Sequence, residues 1–164
     1  QRQLINTLGN LSLPCLGGRG VKVLEINLYD LSIELLQARE GSSEGSRLWD
    51  EILTIEPDVD KDSLLELLQN VLGIEDYLIP AIGQRLRETD FDVLFLSGIG
   101  EVFPYIRSHN VLNNLQSTAK GQPTVMFFPG EYRHSLEQGA SLELFGLLRD
   151  DKYYRAFNIF EIQV

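Results

Sequence analysis

Three carboxylates and one polar-edged helix are the features of this chain whose residue types and spacing could do chemistry. The apolar runs 21–29, 93–97 and 124–128 read as strands. If they lie parallel, Asp30, Glu101 and Glu131 fall just beyond their carboxyl ends, where open α/β sheets bind ligands. Carboxylates converging there would hold Mg2+, the arrangement of a divalent-metal-dependent phosphoesterase or nuclease. The simpler assignment gives Asp30 and Glu101 to helix N-termini, where negative charge is favourable, and Glu131 to a loop. On that preferred assignment the chain is not an enzyme and holds no metal or cofactor.

The helix expected after Pro104 is organised by a turn of about 100° per residue. Tyr105, Ser108, Val111, Leu112 and Leu115 share one arc, with Ser108 small enough for close approach to a sheet. Arg107, Asn110 and Asn114 flank that arc on one side, and His109, Asn113 and Gln116 flank it on the other. Such side chains satisfy buried backbone or meet a partner surface. Taken as an interface, they give Arg107, His109, Asn110 and Asn113 as partner-binding candidates, together with Tyr132 beside the glycine-rich strand ends.

Other chemistries lack their residues. His109 and His134 are the only histidines and have no HExxH spacing, and Cys15 is alone, so neither a zinc site nor a Cys–His nucleophile pair has its ligands. The turn at 97–101 carries two glycines of a dinucleotide fingerprint, but Phe103 occupies the third position and Glu101 would repel phosphate. Gly17, Gly18 and Gly20 surround Arg19 without the Lys-Ser or Lys-Thr of a phosphate loop, and a strand follows where a helix is needed. Glu56, Asp58, Asp60 and Asp62 alternate without the glycine and closing Glu of a calcium loop.

The elements that must position these residues centre on 92–132. Val93-Leu94-Phe95-Leu96 and Val125-Met126-Phe127-Phe128 are apolar at consecutive positions, as in strands of a parallel sheet covered by helices on both faces. The strand 21–29 alternates instead and belongs nearer the edge. Helices are expected at 2–8, at 31–39 with Asp30 as cap, at 47–54, at 64–72 opened by Ser63, at 75–87 and at 141–148. A terminal strand is expected at 153–162. The segment 40–46, rich in Gly and Ser, reads as a flexible loop. The result is one α/β domain over 1–164, with a mostly parallel sheet and a long helical crossover in its middle.

The 164 residues carry a formal charge of −10, which disfavours direct binding to nucleic acid by the chain alone. The lone cysteine, and the absence of a long apolar run or a leader in this sequence, point to a cytoplasmic protein without a membrane span.

Arg107-Ser108-His109, 112–116 (LNNLQ), 125–132 (VMFFPGEY), Leu144-Phe145-Gly146 and 150–157 (DDKYYRAF) resemble the bacterial BrxB family of BREX phage-defence systems, a domain of unknown function. The resemblance covers about the C-terminal half, with looser agreement at 21–36. It implies a non-catalytic accessory protein that works with other BREX components, in particular the PglZ-type protein with its alkaline-phosphatase-like domain. It also implies a further N-terminal segment that adds a strand ahead of Gln1.

Overall fold

The computed structural model describes residues 20–135, 139–146, 148–149 and 158–161. Three runs pair as parallel strands in the order β1 (Val23–Asn27), β2 (Val93–Ser97) and β3 (Thr124–Met126). Ile26 stands beside Leu96, and Leu96 beside Met126, so alternate residues of the strands share a face. Ile26, Leu94 and Leu96 are fully buried and join the helices in one core. On the other face Val23, Val93, Phe95 and Val125 are half-buried, and the Phe95 and Phe127 rings meet edge to face at 5.3 Å. β1 takes the edge position its alternation predicts. β3, expected as a second central strand, is the other edge among the described residues.

The first crossover begins with a local device. Asn27 accepts from the N–H groups of Tyr29 and Asp30 and so caps α1 (Leu28–Ala38), whose first turn holds Asp30. The expected cap was Asp30, with a strand reaching 29; Asn27 wins because its extended backbone puts a short amide within reach of the free N–H groups. Gly98, at φ +75°, makes room for that cap, since a Cβ there would lie 2.4 Å from the Asn27 amide oxygen.

The loop 40–46 is tied down where flexibility was expected. The Glu51 carboxylate accepts from the N–H groups of Ser42 and Ser43 at 2.9 and 3.1 Å and from the Ser46 hydroxyl at 2.6 Å. The helix α2 (Leu48–Ile55) follows, then a short 3-10 turn (Glu56–Asp58) and α3 (Lys61–Val71). Asp60 caps α3, a turn ahead of the expected Ser63, whose hydroxyl instead donates to the Asp60 carboxylate at 2.6 Å. The single helix expected at 75–87 is divided into a π-helical turn (Ile74–Leu78) and α4 (Ile79–Glu88). Pro80 explains the division: its ring has no N–H to give and crowds the carbonyl of Asp76, so the helix widens there. These helices make up the long crossover from β1 to β2.

Between β2 and β3 runs α5 (Ser108–Thr118). Pro104 does not open it; Pro104 lies in the preceding turn, and the extended Arg107 (φ −97°, ψ 136°) sets the start at Ser108. Past β3 the chain forms an antiparallel sheet of β4 (Gly130–Ser135), β5 (Gly139–Leu144) and β6 (Leu148–Arg149). This overturns the helix expected at 141–148. β5 pairs along its whole length with β4, Tyr132 opposite Leu142 and Gly130 opposite Leu144, and that ladder outweighs a short window of helical spacing. Gly130 permits the pairing, because a Cβ would lie 2.1 Å from the Glu143 carbonyl oxygen. The expected helix 2–8, Cys15, and 153–157 of the expected terminal strand lie outside the described residues; 159–161 form a 3-10 turn.

Candidate functional site

The two polar edges of α5 have different surroundings. Val111 and Leu115 are buried and Ser108 nearly so, as the arc between the edges requires. On one side of that arc, Arg107, Asn110 and Asn114 line a cleft of about 510 Å³ together with Gln69, Ile74, Glu75, Asp76 and Tyr105. Pro80 diverts the helix into the π-turn, which carries Glu75 and Asp76.

Arg107 is exposed, and among the described residues its guanidinium has no hydrogen-bond or ion-pair partner. Asn114 is partly committed, its side-chain N–H donating to the Asn110 carbonyl at 2.9 Å. The Tyr105 hydroxyl donates to the Glu101 carbonyl at 3.2 Å. Burial pushes the Tyr105 phenol above its ordinary range, and electrostatic repulsion from Tyr29 and Glu101 pushes it the same way. It therefore stays a protonated donor at neutral pH. The cleft thus brings together a cationic fork, side-chain amides and two carboxylates, groups able to form charge-assisted hydrogen bonds.

His109 and Asn113 lie on the opposite edge of α5, on the side of Leu112. Leu112 and Tyr132 both pack against Leu142 of the hairpin. The structure therefore brings Arg107 and Asn110 into one cleft and leaves His109, Asn113 and Tyr132 elsewhere. Gln69, Ile74, Glu75 and Asp76 escaped the sequence reading. Pro80 inside a helical pattern was the signal that could have found their wall.

The three carboxylates considered for a metal do not gather. Asp30 is half-buried in the first turn of α1, Glu101 is exposed in the turn after β2, and Glu131 lies on β4, not in a loop, where Arg133 donates to it at 2.9 Å. Among the described residues no three His, Cys, Asp or Glu side chains group closely enough to hold a metal ion. Among the same residues no helix is long and apolar enough to cross a membrane.

Parallel strands joined by helical crossovers, with a polar cleft beside the second crossover helix, define an α/β protein. The family described as BREX protein BrxB matches residues 24–159, and the chain belongs to that family. It is 34% identical over 142 residues to the BREX protein BrxB of Bacillus cereus (strain H3081.97), an alignment covering 85% of this chain and 67% of that protein. It is 25% identical over 134 residues to the BREX protein BrxB of Escherichia coli O9:H4 (strain HS), covering 82% of this chain and 60% of that one. The chain thus spans about two-thirds and three-fifths of the length of these relatives. No solved structure matches it significantly.

Proposed function

We propose that this protein is a non-catalytic interaction subunit of a cytoplasmic BREX phage-defence complex, and that it docks a PglZ-type, alkaline-phosphatase-like partner through the α5 cleft. The observation that carries this reading is the unpaired Arg107 guanidinium in a cleft with Asn110, Glu75 and Asp76. Membership of the BrxB family supplies the pathway. An exposed cation with five donors costs little to leave in water and gains charge-assisted bonds when a partner carboxylate arrives. The carboxylates of the cleft would select for a basic or amide group on the same partner segment.

The test is co-purification of the full natural protein with the PglZ-type protein, with the mass of the complex measured in solution. A stoichiometric complex that weakens about tenfold or more in Arg107→Ala, with the melting temperature nearly unchanged, is the expected result. Failure to associate at both low and physiological salt overturns the partner. A large loss of stability in Arg107→Ala would make the residue an internal support.

A further inference from the structure

The α2–α3 hairpin packs on the core by one side and leaves apolar side chains exposed at its joint. α3 has 11 residues and, although Leu64, Leu67, Leu68 and Val71 touch the core, none of its residues is buried. At the joint with α2, Leu53, Ile55 and Val59 are 46%, 41% and 37% exposed. A helix this short is marginal in water and normally draws its stability from a packed apolar face. Here Leu64, Leu67, Leu68 and Val71 reach only half-burial on the core, and the joint beside them stays open.

Its charge selects the occupant. Residues 47–71 hold seven carboxylates against Arg47 and Lys61, a net −5, which is half of the −10 of the whole chain. Among the described residues Glu56, Asp58, Asp62 and Glu66 are exposed and form no ion pair. A second copy of the chain is disfavoured, because an isologous contact would set the same acidic surface against itself. We infer that the α2–α3 hairpin docks a basic amphipathic helix of a partner protein, its apolar side on Leu53, Ile55, Val59 and Leu65 and its cations on the surrounding carboxylates. α3 also lends Gln69 to the α5 cleft, but Leu53, Ile55, Val59 and Leu65 do not line it, so variants at these positions test this surface separately.

The probe is a synthetic amphipathic peptide of about 18 residues, leucine on one face and lysine on the other, titrated calorimetrically into the full chain. Saturable binding is expected, about tenfold weaker or more for a scrambled peptide of the same composition and for the variant Leu53→Ser/Ile55→Ser/Val59→Ser. Those side chains are exposed, so circular dichroism of the variant should match the parent. Glu56→Gln/Asp58→Asn/Asp62→Asn should bind more weakly and with a flatter salt dependence. Absence of binding, or equal affinity for the scrambled peptide, overturns the inference. So does protection of α3 amides from hydrogen exchange without peptide, which would show that the chain's own residues cover the face. A dimer abolished by the triple serine variant would assign the face to a second copy instead.

Discussion

α3 and α5 are both 11-residue helices, and they are held by opposite means. α3 is specified locally: the Asp60 side chain caps it and leucines crowd its sequence, yet none of its residues is buried. α5 has no side-chain cap and a sequence full of Asn, Ser and His, weak helix formers, yet Val111 is completely buried and Leu115 nearly so. One helix is made by its own residues and the other by what it packs against. The difference separates a helix seated shallowly on the core from one seated deep in it.

Breaking the packing of α5 should have the largest effect. Leu115→Ala should destabilise the protein by about 2–5 kcal/mol, read by chemical denaturation, because it leaves a cavity in the core. Leu65→Ala on α3 should change the same measurement by about 0.5 kcal/mol or less. Equal losses would erase the distinction between the two helices.

Gly98→Ala comes next. It forces a side chain into the left-handed region and against the Asn27 cap, and should cost about 1–3 kcal/mol. Asn27→Asp should leave α1 nearly as stable, since aspartate caps equally well; a loss as large as that of Gly98→Ala would mean that the cap is not what Gly98 protects.

Smaller, pH-dependent effects sharpen the contrast at the hairpin. Bonds from the Ser63 hydroxyl and then the Ser63 N–H hold the Asp60 carboxyl below its ordinary value of 3.8. The cap's contribution is therefore complete above that value and is lost as pH falls through the lower folded one. Because α3 has no buried residue, acid should release its amides to hydrogen exchange before those of α5. Simultaneous release would make α3 part of the global cooperative unit.

Glu51 behaves alike. The Ser42 N–H first, then the Ser46 hydroxyl and the Ser43 N–H, lower its carboxyl from an ordinary 4.5 to about 2. Its hold on the loop 40–46 persists above 4.5 and fades as pH falls towards 2. A carboxylate titration by nuclear magnetic resonance with a midpoint near the ordinary value would dissolve that loop anchor.

Local signals in the sequence were sufficient for the α/β class, the parallel run at 93–97, the alternating edge strand and the division of α5 into one apolar arc and two polar edges. Each depends on period or on consecutive apolar residues, which burial dictates directly. Boundaries were less legible. Asn27 and Asp60 took the caps expected of Asp30 and Ser63, because several residues near each start can cap and the backbone path chooses among them. The hairpin was misread because Leu144, Phe145 and Leu148 fall at helical spacing while Leu142 and Leu144 alternate as in a strand, and only the β4 ladder decides between them.

What the sequence determined by itself was therefore the set of faces: which residues must be buried together and which polar residues border them. Only the tertiary structure decided what stands opposite each face. It put Glu75 and Asp76 in one cleft with Arg107, kept His109 and Asn113 on the other edge, and seated α3 on the core without burying any of its residues. Periodicity is a property of one segment, whereas a cleft or a bare face depends on the relative placement of segments far apart in the chain, which long-range packing alone fixes.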